Sequence, residues 1–290
     1  MNNGKAKKCN PKVIVVFFNP TTKQIATTNA TSKVVSTIVV DNSTLALPCD
    51  AIGNEITYLP LYKNYGIAYA QNIGIKEALK DKECTHIVFL DQDSQIHKEY
   101  VNSIVNEYER INKKEKNLFM LGPTVVNSST NETYHSVVHK YETDLNGFSI
   151  RREIISSGSC VSTERIRQIG RMDEKLFIDF VDFELCWRAN AHGLVNGITT
   201  NISISHLVGD TELSFPFGYK VIVSSPQRYF YQYRNHLLLI RRMYVPLQWK
   251  VATAIKHLAR LVYFPLFVEN GGKCWKQMIR GLSVGFRNYF

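Results

Sequence analysis

The run Ile87-Val-Phe-Leu90 stops at two carboxylates, Asp91 and Asp93, with Gln92 between them. A strand that is apolar without alternation has to be covered on both faces, as a central strand of a parallel sheet is. Such sheets present their ligand-binding residues at the carboxyl ends of the strands. Asp91 and Asp93 are therefore expected at a sheet edge facing a cleft. Two carboxylates that close repel each other unless a cation or hydrogen-bond donors compensate. Hard oxygen ligands suit Mg²⁺ or Mn²⁺ when phosphate oxygens complete the octahedron. The competing reading is a strand end that caps the following helix.

Three further apolar runs, Val13 to Phe18, Val34 to Val40 and Ile56 to Leu61, precede this one. Helix-compatible stretches follow the first, third and fourth runs, and that alternation predicts an α/β fold with a mostly parallel central sheet flanked by helices. Glu99 to Lys116 spaces Val101, Ile104, Val105 and Tyr108 as a surface helix does. From Leu118 to Ser162 the pieces Leu118 to Val126, Tyr134 to His139 and Ile150 to Ile155 read as strands, with turns at Asn127 to Asn131 and Asn146-Gly147, so a mixed extension of the sheet is expected. Gln227 to Arg242, Leu247 to Tyr263 and Lys273 to Arg287 read as helices, separated by Pro246 and by Asn270-Gly271-Gly272.

Charge divides the chain where this pattern changes. Residues 220–290 hold 12 Lys/Arg against one acid, Glu269, leaving 23 Lys/Arg and 24 acids upstream. The tail's apolar stretches are interrupted by Arg241, Arg242 and Arg260, short of the roughly 18 residues of a spanning helix. Apolar residues interleaved with Lys and Arg suit an interfacial segment on an anionic leaflet. A helical cap with a solvated charged face is the plain alternative, and nucleic acid is not expected as a partner. The six cysteines, at positions 9, 49, 84, 160, 186 and 274, form no metal-ligand spacing, and nothing before Lys12 resembles a secretory signal. A cytoplasmic compartment is expected, and the N-x-S/T triplets at Asn29, Asn42, Asn131 and Asn201 carry no weight.

The first two runs also end in polar residues, Asn19-Pro20 and Asp41-Asn42-Ser43. An Asp on that rim can accept a hydrogen bond from the imide N–H of a pyrimidine base, or cap a helix instead. Asn64-Tyr-Gly-Ile-Ala-Tyr-Ala-Gln-Asn-Ile-Gly74 carries small residues, Gly66 and Ala68 among them, that let a helix start tightly against the sheet. Its amides can then face a diphosphate, although packing explains the small residues equally well.

In this order, from Val13 to about Arg242, the segments resemble glycosyltransferase family 2, inverting enzymes of the GT-A fold. The resemblance implies a strand-one Asn-Pro at Asn19-Pro20, a base-reading Asp41, a donor segment with Asn64, Gly66 and Asn72, and a metal-binding Asp-x-Asp at Asp91 and Asp93. Met172 to Arg188 resembles the acceptor motif, with Val181-Asp182 where the family often has Glu-Asp. That leaves Asp182 as the implied catalytic base without its usual acidic neighbour. The form Phe177-Ile-Asp-Phe-Val-Asp182 and the segment Arg228 to Asn235 resemble the rhamnosyltransferase branch. The implied organisation is a catalytic domain over 1–219, with a nucleotide-binding half about 12–117 and an acceptor half about 118–219, followed by a basic helical extension over 220–290.

Inverting transfer is one displacement at an anomeric carbon, which needs a base for the acceptor hydroxyl and an electrophile for the leaving diphosphate. Asp182 can be the base, or an acid favoured at a helix N-terminus. Asp179 and Glu184 crowd the same segment, as acceptor-side groups or as helix-opening acids. His206 corresponds to a His that joins the metal or diphosphate, and its imidazole suits Mn²⁺ better than Mg²⁺. Arg234 is a candidate grip on the diphosphate or a solvated charge, and Gly158 a close-approach position flooring the sugar site. Trp187 offers either a stacking face for a sugar or, beside Leu185, a core side chain. The expected partners are dTDP-rhamnose or a UDP-sugar, a lipid-linked glycan acceptor of bacterial-type polysaccharide synthesis, and an anionic membrane surface on its inner face. A UDP-hexose donor and a catalytically silent binding protein are the alternatives.

Overall fold

A computed structural model describes residues 9–94, 96, 99–127, 147–206, 211–214 and 220–287. The four apolar runs form β1 (Pro11–Phe17), β2 (Thr37–Asp41), β3 (Ile56–Pro60) and β4 (His86–Asp91). They pair in parallel, with Asp41 opposite both Phe17 and Pro60 and Asp91 opposite Val16, so their carboxyl ends share one rim. Helices α1 (Thr22–Ser32), α2 (Ile67–Ala78) and α3 (Tyr100–Asn112) follow β1, β3 and β4. Continuous apolarity has the expected cause. Ile14, Ile38, Val40, Ile87 and Phe89 pack on one side with Ala68 and Ile75 of α2, while Val13, Val15, Val39, Val88 and Leu90 pack on the other with Val101, Ile104 and Tyr108 of α3. Thr21 and Gln24 form a reciprocal capping box that starts α1.

Beyond β4 the sheet becomes mixed. Strands β5 (Leu118–Asn127), β6 (Phe148–Arg151), β7 (Cys160–Ser162) and β8 (Val195–His206) extend it to eight strands in the order β3-β2-β1-β4-β7-β5-β8-β6. β7 runs antiparallel to β4 and β5, and β8 runs parallel to β5. The strand expected over Ile150 to Ile155 ends at Arg151, because residues 152–159 leave the sheet as a loop. Tyr134 to His139 and residues 128–131 lie outside the described residues. Helix α4 (Thr163–Ile169) is capped by Ser162, and α5 (Val181–Ala191) carries the acceptor motif. A separate hairpin pairs β9 (Thr211–Ser214) with β10 (Lys220–Val223).

Helices α6 (Pro226–Leu239), α7 (Leu247–Phe267) and α8 (Gly271–Arg287) close the chain. Tyr229, Tyr233, Phe264, Cys274 and Met278 form a core among them, whereas Leu239 and Val245 enter the core beside the sheet. Helix α6 thus belongs to both. Its contact with α8 is so close that a Cβ on Gly281 would sit 2.4 Å from the Phe230 carbonyl. α7 continues past the expected end at Tyr263 with Pro265 in its last turn, where few intrahelical bonds remain to be lost.

Candidate active site

The turn after β4 aims the two carboxylates. Ser94 N donates to Asp91 O at 3.0 Å, and Asp91 N donates to Ser94 Oγ at 3.1 Å. Gln92 is used internally, since its Oε1 accepts from Phe18 N at 2.8 Å and ties the ends of β1 and β4 together. Asp93 is left exposed, and Asp91 half-buried. Asn19 is exposed on the same rim in a left-handed conformation (φ 47°), its N–H held by Ser43 Oγ at 2.7 Å.

Asp182, in the first turn of α5, is half-buried. Ser156 N donates to its Oδ2 at 3.1 Å and Phe183 N to its Oδ1 at 3.0 Å. Burial pushes its pKa up to about 6; the two backbone donors pull against that shift and the negative charge of Asp91 adds to it. Asp91 and Asp182 are therefore close enough for their charges to interact. A short chain of contacts links them: Ser94 Oγ meets Ser157 Oγ at 3.2 Å, next to the Ser156 amide that holds Asp182. A cavity of about 420 Å³ lined by Thr85, His86, Glu109 and Arg165 opens instead at the start of β4, away from these groups.

The loop entering α5 is strained. Phe177, Asp179 and Phe180 have φ of 65°, 67° and 65°, a region costing about 1–3 kcal/mol for each such residue. Helix α6 holds it there. Asn235, fully buried, donates through Nδ2 to the carbonyls of Leu176 (2.8 Å), Ile178 (2.7 Å) and Asp179 (3.1 Å). Arg228 Nη2 pairs with Asp179 Oδ1 at 2.5 Å, and the Phe177 and Tyr231 rings stack at 4.4 Å. The sequence marks Arg228 and Asn235 only as the ends of one segment and not as loop-holding residues, because their partners lie about fifty residues away. Their shared segment, and the helical spacing of 228, 231 and 235 on one face, was the available signal.

Several of the expected ligand residues also have protein partners. Asp41 is 1% exposed, with Oδ1 accepting from Ser43 N (3.0 Å) and Oδ2 from the Tyr58 hydroxyl (2.6 Å), so it also shapes the rim. Asn72 donates to Met172 O and Glu174 Oε1 and accepts from Met172 N, which ties α2 to the segment that precedes α5. Gly66 (φ 87°) lets Phe177 approach: a Cβ there would lie 2.5 Å from the Phe177 carbonyl, which instead accepts from Ala68 N at 3.3 Å. That amide is occupied by protein. Arg234 Nη2 donates to the carbonyls of Lys175 and Leu176, so it braces the loop.

On the acceptor side Asp179 is neutralised by Arg228, and Glu184, 1% exposed, is bonded to Arg188, Arg242 and the Tyr244 hydroxyl. Trp187 is 1% exposed, with Nε1 on Glu153 and its ring 4.7 Å from Trp249, which is the core role. Gly158 (φ 75°) is buried against the Tyr100 hydroxyl and turns the chain that carries Ser156. Asn64 remains at the rim, its Oδ1 accepting from Asn42 Nδ2 and Gly66 N, both at 2.9 Å. His206 ends β8 beside Asn127. Among the described residues no three His, Cys, Asp or Glu side chains converge as a metal cage. Asp91 and Asp93 nevertheless supply the hard, anionic donors a divalent cation takes when phosphate oxygens complete its shell.

Residues 13–165 match the family model described as Glycosyl transferase family 2. The chain is 31% identical over 286 residues to the dTDP-rhamnosyl transferase RfbF of Shigella flexneri, covering 94% of each. It is 22% identical over 211 residues to the low-salt glycan biosynthesis hexosyltransferase Agl10 of Haloferax volcanii, covering 68% of this chain and 67% of that one. Among solved structures, S. aureus TarS 1-349 in complex with UDP-GlcNAc superposes with a TM-score of 0.57 at 15% identity, over 96% of this chain and 81% of that one. GalNAc-T7 with UDP, GalNAc and Mn²⁺ gives 0.50 at 12% identity over 68% of this chain, which spans 44% of it. At those identities the likeness carries the fold alone.

Proposed function

We propose that this chain, which belongs to glycosyltransferase family 2, moves rhamnose from dTDP-rhamnose with inversion onto a glycan acceptor. It is a nucleotide-sugar glycosyltransferase with the GT-A fold. The observation that carries the mechanism is Asp182, a half-buried carboxylate with a pKa raised to about 6, across the cleft from Asp91. A base tuned to that value is largely ionised near neutrality and still takes a proton readily. In the displacement the acceptor oxygen bonds to the anomeric carbon, its proton passes to Asp182, and the bond to the diphosphate breaks with its electron pair leaving on dTDP.

Asp91 and Asp93, with His206 as a third candidate, would hold Mn²⁺ or Mg²⁺. Such an ion neutralises charge on a leaving diphosphate. Asn19 and Asn64 are the rim amides available to the donor. The name of the Shigella relative supports the dTDP-rhamnose reading. A UDP-hexose donor is the second reading, favoured by the UDP-GlcNAc complex of TarS and the hexosyltransferase Agl10. The acceptor fits a lipid-linked glycan of polysaccharide synthesis, met at the inner face of a membrane through the basic C-terminal helices. Among the described residues no helix is long and apolar enough to cross a membrane.

Calorimetric titration of dTDP and UDP, with and without Mn²⁺, into wild type and Asp93→Ala tests the donor assignment. Tighter dTDP binding that needs Mn²⁺ and weakens about tenfold or more in the variant is expected. A UDP preference overturns the rhamnose reading, and unchanged Mn²⁺-assisted affinity removes Asp93 from the site.

A further inference from the structure

Helix α7 turns an apolar stripe outward. Leu247 (73% exposed), Val251 (51%), Ile255 (62%), Leu258 (64%), Val262 (68%) and Leu266 (70%) recur at helical spacing, a single face about 29 Å long at 1.5 Å per residue. The core is met by a different face, carrying Thr253, His257 and Phe264. A surface patch of this extent marks an interaction site. The neighbouring α8 exposes Trp275, Ile279 and Phe286, and exposes Lys273, Lys276, Arg280 and Arg287 as well.

We infer that α7 lies flat on an anionic phospholipid surface with the Leu247–Leu266 stripe among the acyl chains and the basic residues of α8 at the headgroups. The inference rests on the membrane part of the proposed function and adds the face that docks. Charge selects the occupant. A second copy would bring a segment with 12 Lys/Arg and one acid against its own like, and a self-complementary contact sets like charges together. An anionic leaflet compensates them. α6, which packs on α8, also holds the 176–179 loop, so docking would keep the Asp182 cleft joined to the membrane-facing helices.

Co-flotation of the full chain with vesicles of phosphatidylcholine, alone or mixed with phosphatidylglycerol, tests this at low and high salt. Wild type should float with the mixed vesicles and far less with phosphatidylcholine alone. Leu258→Gln/Val262→Gln should lower partition about tenfold or more at low salt, and Lys276→Glu/Arg280→Glu should remove the phosphatidylglycerol dependence. Thermal melting and dTDP titration of both variants should match wild type. No flotation of wild type, or unchanged flotation of the stripe variant, overturns the proposal, as does a wild-type dimer that the stripe variant converts to monomer. Flotation as expected without dTDP binding would instead overturn the dTDP-rhamnose reading and leave the docking surface standing.

Discussion

Asp182 owes its properties to a conflict between burial and hydrogen bonding. Burial and Asp91 favour its neutral form, and the amides of Ser156 and Phe183 favour the anion. In its proposed role as base Asp182 works only when ionised, so kcat/KM should rise with pH along an acid limb with a midpoint near 6. A pH–rate profile in which that limb is missing from the wild type would remove Asp182 from the role. The same shift acts on stability. The folded-state value of about 6 lies above the ordinary 3.8, so ionised Asp182 costs stability above pH 6 and costs nothing below about 4. The stability of Asp182→Asn relative to wild type should therefore be more favourable at pH 8 than at pH 4 by about 1–3 kcal/mol, on top of a pH-independent cost because one amide oxygen cannot accept from both Ser156 N and Phe183 N. Urea unfolding at the two pH values checks it, and an equal difference at both would contradict it. The sequence carried Asp182 as a motif residue but not its environment, because the Ser156 amide comes from a loop 26 residues away.

Among elements, α6 holds the loop that enters α5 as a ligand-binding helix is expected to hold a substrate. Asn235 meets three carbonyls of a loop whose backbone is unfavourable at 177, 179 and 180. Asn235→Ala should release that loop, lowering kcat about 10–100-fold while dTDP affinity stays near wild type. Asn235→Asp should not rescue it, since a carboxylate donates no hydrogen bond. Loss of dTDP binding in step with kcat would mean that Asn235 supports the whole fold and not the loop. The strands were legible because apolar continuity has one cause, coverage on both faces. The polar residues of α2 and α5 were less so, since type and spacing do not say which neighbour a side chain meets. Asn72 finds Met172, 100 residues on, and Glu184 finds Tyr244, 60 residues on.

Taken as one molecule, the chain sets a parallel sheet, whose rim carries Asp91 and Asp93, against a mixed extension and a helix that carry Ser156 and Asp182. The proposed donor half (12–117) and acceptor half (118–219) meet there, and the extension reaches back through α6 to hold the acceptor loop. The direct test of this account is dTDP release from dTDP-rhamnose, in the presence of detergent-extracted glycolipid acceptor, by wild type and Asp182→Asn, with dTDP affinity measured alongside. The account predicts dTDP affinity within about twofold of wild type and turnover lower by about 10²–10⁴-fold. Wild-type turnover by Asp182→Asn would contradict it.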